Sequence, residues 1–198
     1  MKKFLFASIL ALFVGTTFST VKASLLDDAI AWAYTKGLTR YYTPDYFLPN
    51  NSIRRDEASK FFVNFAKLVG KTTYIKTTPA CQFSDTQKAI SDLQEYVIES
   101  CRLGIFNGAY GNFYPADNLT NAEAIAVLIR IISGLENESG LSHWANNYYN
   151  RANILGLLDN VKMSSKDSVA SRGNVISILY EAKNSKGTST NYSYSWEY

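Results

Sequence analysis

Two glutamates and a lone histidine are the first places to look for chemistry. Glu57 and Glu123 end two similar phrases, FLPNNSIRRDEA from Phe47 and FYPADNLTNAEA from Phe113. Glycoside hydrolysis needs two carboxyl groups about 5 to 9.5 Å apart across one cleft, whereas residues at equivalent places in a repeat face separate clefts. Thr120-Asn121-Ala122-Glu123 has the form of a capping box, in which a hydroxyl serves the exposed amides of a helix start and a carboxylate reaches back. Both glutamates are therefore read as structural, and the chain is not expected to be an enzyme. His143 is the only histidine, so metal clusters and a Ser-His-Asp device lose their usual centre. Opening a helix is its plain role. The NGAYGN stretch at Asn107 lacks the Gly-Lys-Ser/Thr ending of a phosphate loop and reads as a turn. Neither a cofactor nor a metal is expected.

The elements that must position these residues recur. The same offset separates Phe47 from Phe113, Pro49 from Pro115, Ile53 from Leu119 and Glu57 from Glu123, which makes a register-preserving repeat. Ahead of each phrase, and again near the end, a helical pattern stops at a glycine: Gly37, Gly104 and Gly156. Four residues before each stop stands a small residue (Ala33, Ser100, Ala152), and seven before stands a larger one (Ile30, Val97, Tyr149), giving one stripe for close packing. An aromatic loop and a second helix follow. The third copy is the most divergent, with Met163 for the aromatic and no proline. Aligning Met163 with Phe113 conflicts by one residue with aligning Asn174 with Glu123, and the second choice is preferred, so Ser171-Arg172-Gly173-Asn174 is the helix start.

The chain opens MKKFLFASILALFVGTTFSTVKAS, which reads as a signal peptide cleaved after Ala23. Its apolar run is shorter than the roughly 20 residues that span a bilayer, and no membrane span is expected in the mature chain. Removing Lys2, Lys3 and Lys22 from the 20 basic residues leaves as many bases as the 17 acids, so a nucleic-acid role loses its electrostatic support. In an oxidising compartment the two cysteines, Cys81 and Cys101, favour a disulfide over a redox or zinc role, the alternative being two buried free thiols. A helix starting near Ala89 would carry Cys101 about 18 Å along it, within the reach of the segment from Cys81. Tyr192, Tyr194, Trp196 and Tyr198 alternate in the tail, either as a polar terminus or as one face of an edge strand that could stack on a partner.

The combination of a glycine-hydrophobe stop, F-x-P and a T-R-A-E-like helix start resembles the S-layer homology domain of bacterial surface proteins. His143-Trp144-Ala145 is similar to that family's H-W-A opening, and Phe83-Ser84-Asp85 to its F-x-D. Residues 25–184 carry the resemblance. It implies an all-α protein whose three helical repeats form a pseudo-threefold bundle of leading helices, with loop-lined grooves between repeats, attached noncovalently to a cell-wall polysaccharide that can be acidic or pyruvylated. Under it, Arg55 and Arg172 are expected to hold a sugar carboxylate through the guanidinium fork. The plainer role for Arg55 is a solvated charge paired with Asp56 or Glu57. Asn121, in the arginine slot of the second copy, can hydrogen-bond a sugar without neutralising an acid. Trp144, Gly37, Gly104 and Gly156 complete the expected glycan-binding set.

The expected organisation is a signal peptide (1–23), repeats at 24–73, 80–137 and 138–185, and a tail at 186–198. The function expected is a secreted cell-wall or cell-surface anchor of a bacterium; the alternative is an envelope adaptor that binds other surface proteins without reading a sugar.

Overall fold

The structure, a computed structural model, describes residues 24–187 apart from 137 and 140. The expected signal peptide and the four alternating aromatics of the tail lie outside the described residues.

Helices organise the chain, and no β-sheet forms among the described residues, in agreement with the all-α expectation. They are α1 (Leu25–Thr35), α2 (Pro44–Phe47), α3 (Arg55–Leu68), α4 (Gln94–Arg102), α5 (Asn121–Ile132), α6 (Asn146–Ile154) and α7 (Arg172–Glu181). Short 3-10 turns at Pro79–Cys81, Thr86–Lys88 and Ser91–Leu93 lead into α4.

Local chemistry sets the boundaries. At the start of α5, Thr120 Oγ1 accepts from Glu123 N at 3.2 Å while Glu123 Oε2 accepts from Thr120 N at 2.9 Å, closing the capping box. At α7, Ser171 Oγ accepts from Asn174 N at 3.0 Å. The Arg54 side chain has no acceptor to offer α3; there Glu57 Oε2 takes Arg54 N at 3.2 Å and Asp56 Oδ1 takes Glu57 N at 2.8 Å. Gly37, Gly104 and Gly156 adopt φ of 70°, 68° and 69°, the left-handed turn that ends α1, α4 and α6. α4 begins later than the start expected near Ala89. Ile90 N donates to the Asp56 carboxylate at 3.1 Å, which holds Ala89 and Ile90 extended against α3.

The leading helices do not bundle with one another as expected. α1 packs on α7, α4 on α3 and α6 on α5, while α3, α5 and α7 meet at the centre. The reason lies in their faces. α5 is buried nearly all round, from Asn121 and Ala122 through Ala124 to Ile132, as a central helix must be. α1 buries only Ala29, Ile30 and Ala33, a single stripe with room for one partner. The small residues of that stripe, Ala33, Ser100 and Ala152, are fully buried as expected, but in α6 the large one is Tyr148, while Tyr149 is half-buried.

Three backbone hydrogen bonds close a ring at this centre. Leu119 N donates to Ile53 O at 2.9 Å, Ala170 N to Leu119 O at 2.8 Å and Ile53 N to Ala170 O at 3.2 Å. All three residues are fully buried just ahead of α3, α5 and α7.

Cys81 and Cys101 form a disulfide, with Cα atoms 5.7 Å apart, that ties the first 3-10 turn to α4. Cys81→Ser with Cys101→Ser should lower stability by about 3 kcal/mol, the loop-entropy value for a closure of this size; urea unfolding checks this. A second prediction concerns alkaline pH. Burial pushes Tyr148 up to about 12, and its hydroxyl donates to Glu138 Oε1 at 2.7 Å and accepts from Arg130 Nε at 3.2 Å. Burial pushes Tyr149 up to about 12 as well. The unfolded chain loses these protons from about pH 10, so stability falls as pH rises from there toward 12. Tyr148→Phe should flatten that part of the unfolding free-energy profile.

Candidate functional site

The arginines at the first turns of α3 and α7 are held by the same kind of cradle. Arg55 Nε donates to Phe113 O at 3.0 Å, and its guanidinium lies 5.1 Å over the Phe113 ring. Arg172 Nε donates to Phe47 O at 3.0 Å, and its guanidinium lies 5.0 Å over the Phe47 ring. In each case a terminal nitrogen ion-pairs with a glutamate at the start of another helix: Arg55 with Glu123, and Arg172 Nη1 with Glu57 Oε1 at 3.1 Å. Each glutamate thus caps its own helix with one oxygen and grips a distant arginine with the other. Both phenylalanines are fully buried, so each cation sits in an aromatic, low-dielectric seat that strengthens its ion pair.

A third junction, between Asn121 and the Ser164–Ser165 loop, has no such pair. Asn121 Nδ2 donates to Ser165 O at 3.0 Å and Ser164 Oγ at 3.2 Å, while its Oδ1 is buried without a donor. The glutamate slot is filled there by Asn174, so arginine and glutamate are replaced together. Lys166 stands nearby, its Nζ 5.1 Å over the Tyr149 ring.

Two grooves open at the ion-paired junctions. One of about 660 Å³ is lined by Gly37, Arg40, Tyr41, Lys60 and Arg172 among others, and one of about 220 Å³ by Arg55, Asn107, Tyr114, Asp117 and Glu123 among others. Leu48 and Tyr114, at matching rim positions, share a left-handed φ of 55° and 59°. Of the residues expected to bind a glycan, Gly37 and Arg172 line the larger groove and Arg55 the smaller. Trp144, Asn121, Gly104 and Gly156 line neither. Trp144 is half-buried, edge-on to Tyr148 and stacked on His143. His143 Nδ1 accepts from Ala145 N at 3.0 Å at the opening of α6, and its Nε2 meets Asp167 at 3.0 Å. A Cβ on Gly104 would strike Ile75.

Sequence reasoning missed Arg40, Tyr41, Tyr46 and Lys60 in the larger groove. Their loop and helix positions differ between the copies, so the repeat gave no signal; only the position of Arg40 and Tyr41 shortly after the Gly37 stop pointed there. It also gave no role to the Asp85 side chain, which accepts from Phe113 N at 2.7 Å and Tyr114 N at 2.9 Å and fixes the phenylalanine beneath Arg55.

Residues 17–59 match the family model described as the S-layer homology domain. The matched segment takes in α1, α2 and the first turn of α3, including Gly37, Phe47, Arg55 and Glu57. Domains of this family generally anchor proteins to the cell wall. No curated protein matches the chain. Among the described residues no helix is long and apolar enough to cross a membrane.

The ion pair across the smaller groove has a measurable consequence. In a double-mutant cycle with Arg55→Met and Glu123→Gln, urea unfolding should give a coupling energy of about 0.5 to 3 kcal/mol, the range for residues in one salt-bridge network. A coupling near zero would mean that the pair adds nothing across the junction.

Proposed function

We propose that the chain is a secreted bacterial cell-envelope protein, made of three tandem S-layer-homology-type repeats and held noncovalently on a wall polysaccharide by the grooves between repeats. The observation that carries this reading is the family match over residues 17–59, because that segment supplies Gly37, Arg40, Phe47 and Glu57 of the larger groove. The ring through Ile53, Leu119 and Ala170 and the cyclic packing of α1 on α7, α4 on α3 and α6 on α5 support a pseudo-threefold order of the repeats. In this reading the trailing helices form the axis, the loops line the grooves, and the chain acts as a binding module without catalysis.

The seven residues expected from the sequence then divide by task. Gly37, Arg172 and Arg55 face grooves. Trp144, Asn121, Gly104 and Gly156 hold the frame that shapes them. Aromatic faces such as Tyr41 and Tyr46 suit a pyranose ring, and polar loop groups suit its hydroxyls.

The test is sedimentation of the purified chain with wall polysaccharide stripped of protein. It should pellet with the polysaccharide and release no sugar from it. Retention by intact envelope but not by stripped polysaccharide, with a protein partner recovered by crosslinking, would replace this reading with the adaptor reading.

A further inference from the structure

The two grooves are unlike in charge. The larger is lined by three cations, Arg40, Lys60 and Arg172, against two carboxylates, Glu57 and Asp92. The smaller has Arg55 alone against Asp117 and Glu123. Their arginines also differ in what they have left to offer. Every nitrogen of Arg55 has a protein acceptor, in Phe113 O, Glu123 and Asn107 O. Among the described residues Arg172 has acceptors for Nε and Nη1 only, which leaves Nη2 without one.

Neither Arg40 nor Lys60 forms an ion pair among the described residues. Arg40 Nη2 donates to Tyr41 Oη at 2.8 Å, with the guanidinium 5.0 Å from that ring's centroid, so the charge is oriented but not neutralised. Lys60 Nζ lies 5.7 Å from the Tyr96 ring centroid. A cation already paired inside the fold gains little from a second acid, whereas an unneutralised one gains a full charge-assisted bond. Tyr46, 66% exposed, stands on the rim of the same groove.

We propose that, of these two grooves, the Gly37–Arg172 groove receives the acidic group of the bound glycan, with Arg40 and Lys60 as its anion-receiving residues and Arg172 Nη2 as a directional donor. The Arg55 groove, with an excess of carboxylate, takes no acid. This inference rests on the wall-binding reading.

The experiment titrates the purified full chain with wall polysaccharide, native or stripped of its acidic groups by carboxyl reduction in one sample and phosphoester removal in another. The Arg40→Gln, Lys60→Gln double variant alters side chains outside the core, so its helicity by circular dichroism should be unchanged. It should bind native polysaccharide about tenfold or more weakly, the effect of one lost charge-assisted bond, while the charge-matched Lys88→Gln, Lys162→Gln variant, altered at two exposed cations outside both grooves, binds as the unaltered chain does. The stripped sample that weakens the unaltered chain identifies the acid as carboxylate or phosphate. If the unaltered chain binds and the double variant binds equally well, the groove assignment is overturned while wall binding stands. Equal affinity for native and both stripped samples overturns acid recognition. Binding to none of them overturns this inference and the wall-binding reading together.

Discussion

Three backbone hydrogen bonds around Ile53, Leu119 and Ala170 set the geometry on which everything else depends. They use no side chain, and they join the residues that immediately precede α3, α5 and α7. The first amides of a helix have no partner within it and must find one elsewhere. Here they find loop carbonyls on the other side of each junction: Arg55 N on Asp117 O at 2.9 Å, Asn121 N on Ser168 O at 2.9 Å and Arg172 N on Asn51 O at 2.9 Å. The next amides do the same, with Asp56 on Pro115 O, Ala122 on Lys166 O and Gly173 on Pro49 O. Helix termini that would otherwise need water are thus satisfied by closure of the ring, and the apolar sides of the three central helices are brought together by the same contacts. The approach is tight at Gly173, where a Cβ would lie 3.0 Å from Pro49 and push on it.

The ion pairs build on that frame. A largely buried arginine without its acid would be an uncompensated charge in a poorly solvated setting, which is far costlier than losing both charges. The third junction follows that rule: Asn121 and Asn174 replace the two charges together, and Asn121 turns to the Ser164–Ser165 loop. Junctions of one backbone design therefore present different electrostatics to solvent, and the grooves inherit the difference.

Much of the architecture was legible in the sequence because it is local. The glycine stops, the Thr120 capping box and the buried small residues at Ala33, Ser100 and Ala152 follow from short-range spacing, and the matching seats of Phe47 and Phe113 from the constant offset between the copies. The cysteine pairing followed from an even count and reach. The centre of the molecule was not legible in this way. The small-residue stripe of the leading helices marked close packing but not the partner, and the nearly all-apolar composition of Ala124–Ile132, which marks a helix surrounded on every side, was the better guide. Tyr148 and Tyr149 are adjacent aromatics on α6, and only the packing on α5 decides which of them enters the core. The partners of Arg55 and Arg172 lie far along the chain, so no local pattern pointed to their ion pairs with Glu123 and Glu57.

The packing of α1 on α7 brings the earliest and the latest described helices side by side. Among the described residues α1 waits for α7 and Ile53 N waits for Ala170 O. A nascent polypeptide can form α3 with α4 and α5 with α6 before α7 is made, but α1 gains its partner only when α7 emerges. Such long-range closure slows folding.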